Sequence, residues 1–167
     1  MRIVKWNGTK WTAQASGTDA YLAAVWGLDA NNVWVVGDGG TILRWNGAVW
    51  SPQTIPATDS WTGIWGSDAN NIWVIGSLGN IFKWDGTAWA AQSSGPPRRL
   101  QGIWGVDRNN VWIVGTDSRL GVIQKWDGST WHSQESGTKS ALTAVWGSDA
   151  RNVFAVGNDG TILQWQP

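Results

Sequence analysis

The sequence predicts an all-β chain, a β-propeller of four blades with four antiparallel strands each, its N-terminal strands completing the last blade. Three observations predict it. A unit of about forty residues recurs along the chain, the length of one propeller blade. Each unit divides into four short runs of Val, Ile and Trp separated by turn residues. The 167 residues include twenty-two Gly and seventeen Trp beside one Tyr and two Phe. Few Leu, Glu or Lys accompany them, which disfavours helices.

The chain opens with half a unit. Residues 3–14, IVKWNGTKWTAQ, match the third and fourth runs of the later units with no first or second run before them. The segment 1–21 is therefore assigned to the closing blade. Blade 1 (22–60) shows the pattern in full: run a LAAVWG, run b NVWVVG, run c TILRWNG and run d VWSPQ. The DANN between a and b suits an Asx-type turn. Asn-Gly between c and d predicts a type I′ hairpin turn with positive φ at both central residues. Blade 2 (61–99) and blade 3 (100–141) repeat this, each starting thirty-nine residues after its predecessor, at Trp61 and Leu100. The last unit (142–167) starts three residues late, at Leu142, after a small insertion in TDSRLGV at 116–122, and supplies runs a, b and c. All seventeen Trp fall on repeat-equivalent positions except Trp61, which replaces a leading Leu.

Closing the ring with the N-terminal strands removes open sheet edges. Run c nevertheless occurs five times against four for the others, so one c strand is surplus in a four-bladed ring. The surplus favours exchange between chains: a homo-oligomer, two copies forming an eight-bladed ring.

The b runs are apolar on both faces, which places Trp34, Trp73 and Trp112 in the core between blades. Trp26, Trp65, Trp104 and Trp146 end the innermost strands nearer a ring face. The phrase KWNGTKW at 5–11 returns as RWNGAVW, KWDGTAW and KWDGSTW. Its paired indoles lie toward the outer strands, where either packing or binding accounts for them. Lys5, Arg44, Lys83 and Lys125 precede the first indole of each pair and suit a side chain laid over apolar surface.

The whole chain resembles the tryptophan-rich β-propeller repeats of bacteria, through the phrase WGxDxNNVWxVGxxGTIxxWNG. Its hairpin is similar to that of small fucose-binding propeller lectins, whose tryptophans line sugar pockets between blades. That resemblance implies sugar contacts at Trp6, Trp11, Trp45, Trp50, Trp84, Trp89, Trp126 and Trp131. Those lectins also clamp fucose with an arginine and a glutamate. Here the b runs carry Trp34, Trp73, Trp112 and Phe154, and the only glutamate is Glu135, so fucose specificity is not implied. Asp68, Asn70 and Trp73 echo the Asp-box turn of sialidase-type propellers, a structural feature in those enzymes too. Gln14, Gln53, Gln92 and Gln134 follow each outer indole by three residues and are candidate partners for sugar hydroxyls.

Composition narrows the function. Twelve basic and twelve acidic side chains give zero net charge without a basic run, which argues against nucleic acid and anionic membranes. No apolar stretch has the length of a spanning helix, and the N-terminus has no signal-peptide pattern, so no membrane insertion is expected and the compartment stays open. No cysteine is present, which removes disulfides and thiolate chemistry. One tyrosine (Tyr21), one glutamate and one histidine (His132) leave little material for a catalytic carboxylate pair or triad. Asp38 and Asp159 lack the oxygen density of a calcium site. The expectation is no enzyme, no cofactor and no metal. The leading reading is a non-catalytic, lectin-like carbohydrate-binding propeller with several similar inter-blade sites. The alternative is a protein-interaction or structural propeller scaffold without a small-molecule ligand. Exposed hairpin indoles would favour the first, buried ones the second.

Overall fold

The computed structural model describes residues 2–93, 95 and 98–165; Met1, Ser94, Pro96, Pro97, Gln166 and Pro167 lie outside the described residues. The chain is all-β, and its antiparallel sheets follow the repeat as propeller blades. A two-stranded sheet of β1 (Arg2–Trp6) and β2 (Trp11–Ala15) comes first. Blade 1 is β3 (Leu22–Asp29), β4 (Asn32–Gly37), β5 (Ile42–Trp45) and β6 (Trp50–Pro52). Blade 2 is β7 (Trp61–Asp68), β8 (Asn71–Gly76), β9 (Ile81–Trp84) and β10 (Trp89–Gln92). Blade 3 is β11 (Arg99–Asp107), β12 (Asn110–Thr116), β13 (Gly121–Trp126) and β14 (Trp131–Gln134). A three-stranded sheet of β15 (Leu142–Asp149), β16 (Asn152–Gly157) and β17 (Ile162–Gln164) follows.

Consecutive blades pack through their first strands, β3 on β7, β7 on β11 and β11 on β15. The b strands β4, β8 and β12 lie between blades, so both of their faces are covered, whereas β16 alternates exposed and buried. Trp34, Trp73 and Trp112 are all but inaccessible, and Val36, Ile75 and Val114 beside them are fully buried. Three apolar clusters result, one at each junction between successive blades.

The expected closure is not made within the chain. β1 and β2 pair only with each other, and β15–β17 form a separate sheet. The surplus c run explains this. β17 already occupies the c position beside β16, so β1 has no vacant place in that sheet. The hairpin β1–β2 instead sits against blade 1: Lys5 Nζ lies 5.4 Å from the centre of the Trp45 ring, and Trp50 Nε1 donates to Gln14 Oε1 at 3.0 Å.

The turns also differ in part from the sequence reading. Asp29 does build the a–b turn, accepting from the Asn31 amide at 2.7 Å and from the Asn32 side chain. The c–d connection, however, is not centred on Asn-Gly: the Asn46 amide donates to the Val49 carbonyl at 3.3 Å, which leaves Gly47 and Ala48 between them. Trp45 and Trp50 form the last pair, and four residues join them. Gly47 takes φ 98°, whereas Asn46 keeps an ordinary negative φ. Its side-chain Oδ1 accepts from the amides of Ala48 (3.0 Å) and Val49 (2.9 Å), replacing the backbone turn by an Asx turn. Positive φ at two successive positions appears instead between b and c, at Gly39–Gly40 and Asp159–Gly160.

Asp85 fills the role of Asn46 in blade 2. Hydrogen bonds from the Ala88 amide, the Thr87 hydroxyl and the Thr87 amide hold its carboxyl down to about 2 from an ordinary 3.8. A depressed carboxylate contributes stability above its unfolded pKa, and that stability is lost as pH falls through the folded value. The melting temperature is thus expected to be level above pH ~5 and to drop between pH ~4 and ~2. Asp85→Asn should keep the turn, as Asn46 does, and flatten part of that drop in melting curves recorded against pH. An unchanged acid limb would show that the turn carboxylates do not govern it.

Candidate binding surfaces

The hairpin indoles divide by position in the array. Trp45, Trp84, Trp89, Trp126 and Trp131 are buried, Trp50 is half-buried, and Trp6 and Trp11 are 49 % and 65 % exposed. Trp84, Trp89 and Trp126 pack on the b-strand indole of the preceding blade, whereas Trp45 pairs with Trp50 of its own blade at 5.4 Å between ring centres. Trp34 meets Trp84 and Trp89 at 5.6 and 5.7 Å between ring centres, and Trp73 meets Trp126 at 6.3 Å. Two of the c-strand indoles also tie down a turn: Trp45 Nε1 donates to the Ala30 carbonyl and Trp126 Nε1 to the Arg108 carbonyl.

The repeated cations roof these indoles. Arg44 lies 5.1 Å from the Trp34 ring centre, Lys83 4.8 Å from Trp73 and Lys125 5.1 Å from Trp112. Partial burial holds the Lys83 ammonium below its usual pKa. The glutamines Gln14, Gln53, Gln92 and Gln134 are half-buried, and Gln14 already serves an indole of the next blade. Of the twelve residues implied as sugar contacts, the structure brings Trp6, Trp11, Gln14, Trp45 and Trp50 together at one apolar cleft of about 260 Å³. Trp84, Trp89, Trp126 and Trp131 are buried in the inter-blade clusters. The Gln53 and Gln92 amides donate to the carbonyls of the residues before them, and Gln134 lines two clefts at the far side of blade 3.

A second region is one that reasoning on the repeat passed over. Two clefts of about 460 and 430 Å³ share Arg98 and Asp117, and so form one groove across blades 2 and 3. The b–c loop of blade 3 builds its wall, with Ser118 at φ 73°. Asp117 Oδ1 accepts from the amides of Arg119 (2.9 Å) and Leu120 (2.8 Å), and these bonds, with the nearby Arg98 guanidinium, hold its carboxyl below the usual range. Leu78 and Leu120 stand 65 % and 49 % exposed beside it. Arg98 donates to Ser133 Oγ at 3.3 Å, and Arg99 lines the same groove. The signal in the sequence was the small insertion at 116–122, together with the paired arginines where the other units have none.

No protein-family model and no curated protein sequence matches the chain. Solved structures do. A structure described as YCF48 bound to D1 peptide is 20 % identical, with a TM-score of 0.69 over 90 % of this chain and 52 % of that one. YCF48 from Cyanidioschyzon merolae is 18 % identical, with a TM-score of 0.73 over 96 % of this chain and 58 % of that one. The chain therefore spans between half and three-fifths of the length of these neighbours, and what it shares with them is the β-propeller fold.

Proposed function

We propose that the chain is a non-catalytic propeller scaffold that binds an extended segment of another protein along the groove around Arg98. The observation that carries this reading is the groove itself. Exposed Leu78 and Leu120 flank the Arg98 and Arg99 guanidiniums where the repeat is interrupted, so blade packing does not account for them. Arginine forks and exposed aliphatic side chains together suit a segment with carboxylates and apolar residues. A propeller of similar fold, described as bound to a peptide, supports the class of ligand. Carbohydrate binding has less support. Four of the eight hairpin indoles, Trp84, Trp89, Trp126 and Trp131, are buried against other indoles and offer no face to a sugar.

Selection from a random-peptide display library on the purified chain tests this. Acidic peptides with interspersed apolar residues are expected to be enriched, and Arg98→Glu should weaken the best of them about tenfold or more. A glycan array probed with the same chain should stay blank. No enriched peptide, alongside saturable sugar binding that Trp11→Ala removes, would overturn the proposal and restore the lectin reading.

A further inference from the structure

The two ends of the blade array are unfinished in complementary ways. In each internal junction an a-strand tryptophan lies on an a-strand glycine of the next blade. A Cβ on Gly66 would meet Trp26, one on Gly105 would meet Trp65, and one on Gly147 would meet Trp104, each within 2.7–2.8 Å. Those three glycines are buried. The series leaves one tryptophan and one glycine over. Trp146 is 63 % exposed, and Gly27 is exposed with only its own blade around it.

The aliphatic contacts repeat the same imbalance. Val36 and Ile64 share the cluster of the first junction, Ile75 and Ile103 that of the second, and Val114 and Val145 that of the third. The next pair in the series is Val156 with Val25, and these stand 40 % and 68 % exposed. The indoles agree as well. Trp34 is capped by the Trp84–Trp89 pair of the next blade, but Trp112 faces a cavity of about 290 Å³ lined by Val145, Val153, Leu163 and Trp165. The exposed Trp6–Trp11 pair is preformed to fill such a place, with ring centres 5.7 Å apart at 54°, against 5.5 Å and 51° in Trp84–Trp89.

We infer that a second copy of this chain completes the array, each copy docking its β15–β16 end on the β1–β3 end of the other. β1–β2 of one copy takes the outer half of the last blade of its partner and displaces β17. Trp146 lies on Gly27, Val156 on Val25, and the Trp6–Trp11 pair on Trp112, all across the junction. Each chain supplies three complete blades and the two halves of a fourth, so two chains make eight. That is the upper end of the usual range of about four to eight blades, which a third copy would exceed. The contact is continuous with the blade packing inside the chain and uses the same residue types. The accessible area fits: 8976 Å² here, against about 8,100 Å² for a compact monomer of 18.2 kDa. The excess of roughly 900 Å² is what one partner buries in a standard interface.

Sedimentation or light scattering on the purified 167-residue chain reads the outcome. The wild type is expected at twice the mass of one chain at micromolar concentration. Trp146→Glu and Val25→Glu change exposed positions at opposite ends, so each variant should fold and run as a monomer with unaltered circular dichroism. Because the two faces of a junction differ, an equimolar mixture of the variants should recover a two-chain species through its one intact junction. A monomeric wild type, an assembly of more than two chains, or a dimer that survives both substitutions would each overturn the inference. The Arg98 groove shares Ile123, Gln134, Glu135 and Ser136 with the cavity beside Trp112, whereas Val25 lines neither, so peptide binding by the Val25→Glu monomer is a separate readout.

Discussion

Replacing Trp73 by Ala is expected to cost about 3–5 kcal/mol, the largest loss of any single truncation in the chain. Trp73 is fully buried at the junction of blades 2 and 3. It stacks on Trp65 at 5.8 Å and 29°, meets Trp126 edge-on at 6.3 Å, and carries Lys83 over its face. Its Nε1 is buried without an acceptor, so truncation forfeits packing and no hydrogen bond. That separates the two effects in a pair of variants. Trp73→Phe removes the orphan donor and keeps much of the ring contact, so it should cost less than half as much as Trp73→Ala. Val49→Ala, at an exposed hairpin tip, should stay within about 0.5 kcal/mol. A domain has only about 5–15 kcal/mol to lose, so Trp73→Ala should move the urea midpoint sharply. A loss under about 1 kcal/mol with an unchanged denaturant slope would show that the junction is not a packed core.

Much of this architecture was legible because a β-strand shows its surroundings through period-two alternation. Runs such as VWVV and IWVI have no polar face, and a strand without one has to be covered on both sides. The same logic fails for the hairpin indoles. Alternation reports which side of a sheet Trp84 occupies, not whether the blade before it lies over that side. Trp65 and Trp146 make the point with nearly the same words: IWGSDA at 64–69 and VWGSDA at 145–150. Trp65 is half-buried against Gly105, and Trp146 is exposed with no glycine of another blade against it among the described residues. The turn was misread for a related reason. Asn-Gly signals a reversal, but the four-residue loop depends on the Asn46 side chain reaching two amides, which the dipeptide alone does not specify. The Arg98 groove was hidden because a repeat-based reading weighs what recurs, and that groove is built where the repeat breaks.

Gly115→Ala should be among the most damaging single-methyl additions, beside Gly37→Ala, whose Cβ would stand 1.9 Å from the Tyr21 carbonyl oxygen, and for a reason that has nothing to do with φ. Gly115 lies at the end of β12, paired with Leu100 of β11, in ordinary backbone conformation. An added Cβ would stand 2.0 Å from the Arg99 carbonyl oxygen and 2.9 Å from Leu100 Cα. Both contacts are backbone, so no side chain swings aside, and real Cβ atoms essentially never approach closer than 3.0 Å. The first and second strands of blade 3 would have to part by about an ångström, next to the irregular register between Leu100 and Gly102. Overpacking of this kind costs about 1–3 kcal/mol or more, to which a broken strand end adds. Gly17→Ala is the matched control. Gly17 has φ 73° but nothing within 4 Å of a Cβ, so its alanine meets conformational strain alone, about 1–2 kcal/mol. Denaturation should rank Gly115→Ala as the costlier, and hydrogen exchange should show faster amides at Leu100 and Thr116 in that variant only. If Gly17→Ala proves the worse of the two, strain at turns and not the close approach of strands sets the tolerance of this fold for added methyl groups.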